Sequence, residues 1–176
     1  MIAAPQPIER TFTIIPDAPA HDAAVEALFD RAFGPGRHAK AAARLREGAT
    51  CLHALSPLAR DEAGRVVGAC RLWAIEGSEA GRGIFLGPIA VDAAWRGGRL
   101  GLDLAARAIA AARRAGHAVV VLVGDPPYFT RLGFVPVPPG RLRMPGPVDP
   151  ARLLWLPLAG PPALAGRLRA VREVRA

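Results

Sequence analysis

The stretch from residue 83 to residue 124 constrains this chain most. It reads "GIFLGPIAVD", then a short loop containing "WRGGRLG", then a run rich in alanine, leucine and arginine, then "AVVVLVG". Across residues 99–115 the apolar Leu100, Leu104, Ala108 and Ala112 fall on one stripe, and Arg99, Asp103, Arg107 and Arg114 on another, which is the spacing of an amphipathic helix. Gly116 ends the pattern, and the unbroken apolar run that follows has the composition of a strand buried on both faces. Strand, loop, helix and strand in this order form a parallel crossover, which lays a helix against a sheet. Gly87-Pro88 stands in the middle of the first strand. Proline cannot donate to a ladder, so pairing is expected to break there, as at a bulge.

The preceding half reads as helices followed by antiparallel strands. "RTFTII", residues 10–15, suits an edge strand that Pro16 and Pro19 terminate. Asp22 then precedes "AAVEALFDRAF", where Val25, Leu28, Phe29 and Phe33 recur at helical spacing until Gly34-Pro35-Gly36. A short helix is expected over residues 38–47. "TCLHALSPLA", residues 50–59, and "RVVGACRLWAI", residues 65–75, are strand-like and separated by "RDEAG", a hairpin pattern. Near the other end "PVPPGRLRMPGPVDP", residues 136–150, reads as an irregular surface excursion. With no internal repeat and no linker, residues 1–176 read as a single α/β domain with a mixed sheet, in which residues 136–176 form a C-terminal part and a basic tail.

Charge is distributed unevenly. Residues 1–95 carry 10 basic and 11 acidic side chains, whereas residues 96–176 carry 13 and 4, so an anion is expected to bind the second half. Part of that excess is the tail "GRLRAVREVRA", with Arg167, Arg169, Arg172 and Arg175, which reads as a solvated terminal helix. Its basic residues are not interleaved with aromatics, so nucleic acid is not the expected partner. No run of roughly 18 apolar residues suggests a membrane span, and "MIAAPQPIERTF" lacks the pattern of a secretory signal, which makes a cytoplasmic location the expectation. Cys51 and Cys70 lie in separate apolar stretches without C-x-x-C spacing and read as reduced, buried thiols rather than acyl carriers. The four histidines show no metal-ligand spacing, so no metal is expected.

A glycine loop between strand and helix leaves backbone N–H groups free at the positive end of the helix dipole, where phosphate binds. "RGGRLG" is neither of the named nucleotide-loop motifs. Its surroundings are more specific: "LGPIAVDAAWRGGRLGLDLAARAIAAARRAGHAVVVLVGDPPYFTRLGF", residues 86–134, resembles the GNAT family of acyl-CoA-dependent N-acyltransferases, in particular small bacterial members with a "GDPxYYxRxGF"-like motif. Arg96 and Gly101 match the family's phosphate loop, Gln/Arg-x-x-Gly-x-Gly/Ala. "RAFGPGRHAKAAARLREG" and "MPGPVDPARLL" extend the likeness over most of the chain.

The resemblance implies a mixed, mostly antiparallel central sheet with a splayed central strand pair and flanking helices. It implies acetyl-CoA as cosubstrate, with Ile89, Ala90 and Val91 pairing with the pantetheine amides and placing a backbone N–H near the thioester oxygen. The pyrophosphate would rest on Arg96, Gly97, Gly98, Arg99, Leu100 and Gly101. The expected reaction is acetyl transfer to a primary amine, a small molecule or peptide, by direct attack in a ternary complex. The alternative is an acyl-CoA-binding or regulatory module with little or no turnover. A homodimer through a sheet edge is compatible with such a fold.

Two positions depart from the family. Its inner loop glycine is Arg99 here, which either reaches over a phosphate or pairs with Asp103 at i+4. Its general-acid tyrosine, counted back from Gly133-Phe134, is Phe129, and Tyr128 stands one place earlier. One helical residue is about 100° of rotation, so the Tyr128 hydroxyl serves as general acid only if that turn still points it at the sulfur; otherwise it packs or walls the substrate site. Water could then protonate the thiolate. Glu76, Asp92, Asp125 and His53 are the candidates for the base that takes the amine proton. The acceptor itself is not identified by these residues.

Overall fold

A computed structural model describes residues 11–171. Nine strands form its sheet: β1 Phe12–Pro16, β2 Pro57–Asp61, β3 Val66–Gly77, β4 Arg82–Val91, β5 Val119–Val123, β6 Val135–Pro136, β7 Leu142–Arg143, β8 Leu153–Pro157 and β9 Gly166–Ala170. The α-helices are α1 Asp22–Phe33, α2 Ala41–Arg46, α3 Leu100–Arg114 and α4 Pro126–Phe129. Strand order is β1-β2-β3-β4-β5-β8-β6, with β9 pairing both β3 and β7. The β4–β5 and β7–β9 pairs are parallel and the remaining pairs antiparallel. The crossover, the edge position of β1 and the mixed sheet thus follow the sequence reading.

Helices cover both faces because strand residues alternate between them. Leu100, Leu104, Ala108 and Ala112 of α3 are buried against Cys70, Leu86 and Leu122, so the apolar stripe packs on the sheet. On the opposite face Val25, Leu28 and Phe29 of α1 pack against Ala69 and Ala90. Ala41 and Leu45 of α2 join Phe85 and Val121 there. A residue on β4 therefore faces either the α3 side or the α1–α2 side.

The central pair is splayed. β4 and β5 are in register only at Ile84–Val120 and Phe85–Val121, although β5 continues to Val123 and β4 to Val91. On the other edge of β4, Cys70 pairs with Ile89 and Leu72 with Leu86, so Gly87 and Pro88 together oppose the single residue Arg71. This is the bulge that Gly87-Pro88 implies. Gly87 has φ +135°, a conformation that side chains rarely adopt, and its peptide bond to Pro88 is cis.

Four local expectations are corrected. Residues 50–59 do not form one strand: Cys51 makes an isolated bridge to Trp73, His53–Leu55 is a 3₁₀ turn, and β2 begins at Pro57. Ser56 Oγ donates to Leu52 O at 2.8 Å and accepts from Leu72 N at 2.9 Å, closing the turn with bonds that hydropathy does not reveal. The tail is a strand where it is described, not a helix. In β9 the buried Leu168 lies between exposed Arg167 and Arg169, a period of two that pairs with β3; Arg172 and Arg175 lie outside the described residues. The excursion at 136–150 contributes β7 and the second residue of β6 to the sheet. The second helix is shorter than residues 38–47, with a 3₁₀ turn at Pro35–Ala39 preceding α2.

Candidate active site

The gap between β4 and β5 opens toward the α1–α2 face as a cleft of about 550 Å³. Its apolar floor comes from Phe85, Leu86, Leu122 and Phe129, and its rim carries Lys40, Asp125 and Asp149. Past the bulge, β4 runs through Ile89, Ala90 and Val91 to the glycine loop, and none of these three is in register with β5. The unpaired side of β4 can therefore offer backbone groups to an extended amide-bearing ligand, as a strand edge does.

The loop suits a phosphate. Gly97 has φ +86°, and nothing lies within 4 Å of a Cβ built on Gly97 or Gly98, so both backbones face open space. The first turn of α3 receives no side-chain cap from Arg99, leaving its N–H groups for an anion at the positive end of the dipole. Arg99 itself has φ −90° and ψ −5°, a negative φ that any L residue adopts, so no glycine is required at this position. Arg99 is exposed, and it makes no salt bridge with Asp103 or any other described carboxylate. Arg96 donates from Nε to Val91 O at 3.2 Å, tying the loop to the end of β4. Leu100 is buried beneath the loop, and Gly101 packs on Val91 and Tyr128.

Tyr128 and Phe129 point to different places. The Tyr128 hydroxyl lies against Gly101 at the start of α3, and Tyr128 is not among the residues lining the cleft. Burial raises its phenol above the ordinary value, so it is protonated at neutral pH. Phe129 does line the cleft, with its ring pressed on Gly124 at the end of β5, where a Cβ would collide with it.

Of the four candidate bases only Asp125 lines this cleft. Glu76 lies in a separate hollow with Arg44 and Arg169. Asp92 caps the turn Ala93–Trp95 by accepting from Ala94 N. His53 is held by Asp22, Nε2 to Oδ1 3.0 Å.

Beneath the α1–α2 face lies a network the sequence did not announce. Buried Arg71 on β3, opposite the bulge, reaches Asp17 at 3.0 Å, Asp22 at 2.5 Å and Glu26 at 3.2 Å. Glu26 in turn holds Arg37 at 2.6 Å, and Asp30 holds it at 2.8 Å. Arg37 forms part of the cleft wall. Asp17, Cys51 and His53 bring ligand-type atoms within 4.8 Å of one another. Both carboxylate oxygens of Asp17 are already engaged, one by Arg71 and one by Ala18 N and His21, and burial pushes the Cys51 thiol up to about 11, so the donor set does not favour a cation. The same cause raises Cys70, so neither thiol is an activated nucleophile. No described helix is long and apolar enough to cross a membrane.

Comparison with known proteins agrees with this geometry. The model of the acetyltransferase (GNAT) family matches residues 22–134. YhbS of Escherichia coli strain K12, an uncharacterized N-acetyltransferase, is 31% identical over 119 residues, covering 67% of this chain and 68% of YhbS. A crystal structure of the Escherichia coli YhbS in complex with CoA is similar with a TM-score of 0.76 at 25% identity, over 96% of this chain and 94% of that one. A GNAT family acetyltransferase from Brucella melitensis, solved with acetyl-CoA, shares the fold with a TM-score of 0.69 at 24% identity, over 93% and 97% of the two chains.

Proposed function

The chain belongs to the GNAT acetyltransferase family, and on that premise we propose that it transfers an acetyl group from acetyl-CoA to a primary amine by direct attack in a ternary complex. The observation that carries this reading is the splay of β4 from β5 beyond Phe85–Val121, with an uncapped helix N-terminus and two open glycines at the far end of β4. Pantetheine would lie along Ile89, Ala90 and Val91. Its pyrophosphate would rest on Arg96, Gly97, Gly98, Arg99, Leu100 and Gly101, with the Arg99 guanidinium over a phosphate.

The two faces of the sheet then divide the work. The phosphate loop belongs to α3, whereas the cleft opens on the α1–α2 face, so donor and acceptor approach the gap from opposite sides. The amine nitrogen forms the new C–N bond as the C–S bond breaks; Asp125, directly or through water, takes the proton that nitrogen loses, and the departing thiolate receives its proton from solvent. Positioning supplies much of the rate, because the site turns a bimolecular encounter into an oriented one. A backbone N–H at the bulged end of β4 polarises the thioester carbonyl. The reading includes a cytoplasmic location.

One observation favours a slower variant of the same chemistry. Phe129 stands in the cleft and the only tyrosine hydroxyl of the chain packs on Gly101, which supports release of the thiolate without a phenol as its acid. Release of CoA thiol from acetyl-CoA on addition of amines tests the proposal. Amine-dependent release is the expected result; binding without release with any amine of a broad panel would leave an acyl-CoA-binding module.

A further inference from the structure

Resting on the reading of the cleft as the acceptor side of an acetyltransferase, we propose that the acceptor is an apolar amino acid whose carboxylate is bound by Arg46 while its amine faces the gap between β4 and β5. Arg46 ends α2 and lines the cleft half-buried. Its Nε donates to Ala42 O at 2.9 Å, and its guanidinium carbon lies 5.9 Å from the centre of the Trp73 ring. Trp73 Nε1 donates to Gly87 O at 3.0 Å, so this stack anchors the cation beside the bulge where the strands part.

The cation has no carboxylate of its own. No described Asp or Glu lies within salt-bridge reach of Arg46, whereas the buried arginines of the same face are held by two carboxylates (Arg37) and three (Arg71). Burial, and then the neighbouring Arg37, push Arg46 down to about 10, which still leaves it charged at neutral pH. A half-buried guanidinium with free N–H groups is matched best by a planar carboxylate, which it binds with paired, charge-assisted hydrogen bonds.

The rest of the cleft fits the other parts of an amino acid. Lys40 and Arg152 also stand on it without a salt bridge among the described residues and add to the positive field that draws an anion inward. Asp125 and Asp149 offer carboxylates to an ammonium group. Phe33, Phe85, Leu122 and Phe129 provide an apolar bed for a side chain.

Binding of reaction products tests this without requiring turnover. N-acetylleucine and N-acetylphenylalanine would be titrated calorimetrically against wild type and Arg46→Gln in the presence of CoA, each beside its carboxamide. At least one acid is expected to bind wild type about tenfold or more tightly than its amide, the effect of one charge-assisted contact. Arg46→Gln should erase that difference and Arg46→Lys should keep part of it. Equal affinity for acid and amide in wild type, no binding of either acid, or a preference that survives Arg46→Gln would overturn the proposal. Succinyl-CoA bound tenfold more tightly than acetyl-CoA, with the gain lost in Arg46→Gln, would assign the cation to the acyl group and also overturn it. A separate acetyl-CoA titration reports on the donor reading, so the two can fail independently.

Discussion

The Tyr128 hydroxyl packs on the bare Cα of Gly101, where an added Cβ would sit 2.6 Å from the oxygen. A rigid phenol cannot yield as a flexible side chain can, so the pair locks α4 against the first turn of α3. Gly101→Ala is expected to destabilise the fold by about 1–3 kcal/mol, the usual result of overpacking. Adding Tyr128→Phe should recover much of that loss, a coupling that a double-mutant cycle of thermal unfolding would measure.

Tyr128→Phe alone should leave acetyl transfer within about threefold of wild type, since general-acid catalysis contributes far more than that where it operates. A fall of a hundredfold in kcat would return the hydroxyl to the reaction.

Phe129→Tyr places a hydroxyl on a ring that already lines the cleft. We expect kcat to rise by roughly three- to tenfold, below the usual range for a general acid because a thiol is already a good leaving group. An unchanged rate of CoA release would show that position 129 does not face the sulfur.

Arg99 has no salt bridge to Asp103, so half-buried Asp103 contributes through its charge in the first turn of α3, and Asp103→Asn should cost no more than about 1 kcal/mol. Arg99→Ala should weaken acetyl-CoA binding by about three- to tenfold at low salt, and less at high salt where exposed charge is screened. Unaltered affinity in calorimetry would leave Arg99 only a surface role.

Buried Arg71 joins three carboxylates behind the bulge. Removing it in Arg71→Ala strips the buried Asp17 of its guanidinium, while Glu26 keeps Arg37 and Asp22 keeps His53, and should cost about 3 kcal/mol, the lower end for a broken buried pair. The hydrogen bond from His53, assisted by Arg71, holds the Asp22 carboxyl below its ordinary 3.8, so its contribution is complete above that value and is lost as pH falls through the lowered one. Acid unfolding followed by circular dichroism should therefore begin at higher pH in Asp22→Asn, which lacks this contribution at every pH.

Periodicity was enough to place α3 and β5, because each buries a continuous stripe or run, and Gly87-Pro88 located the bulge through a donor that proline lacks. Elsewhere side-chain bonds overrode hydropathy, as where Ser56 closes a turn inside an apolar stretch and His53 is tied to Asp22. β9 was hidden by its arginines: Leu168 is buried beside a glycine, and one large apolar side chain makes a weak period-two signal. The glycine loop at the start of α3 was legible because glycine, helix start and strand are neighbours in sequence. The cleft was not, since Arg46, Phe129 and Asp149 meet only through the fold, and no spacing links them.

The central claim is that the splayed strands and the glycine loop hold acetyl-CoA, and thermal unfolding of dialysed protein with and without it tests that most directly. Ligand at about 100 times its dissociation constant adds about 2.7 kcal/mol to a folded state that alone binds it. For a chain of this size the expected rise in Tm is about 5–10 °C. An unchanged Tm at millimolar acetyl-CoA would contradict the claim.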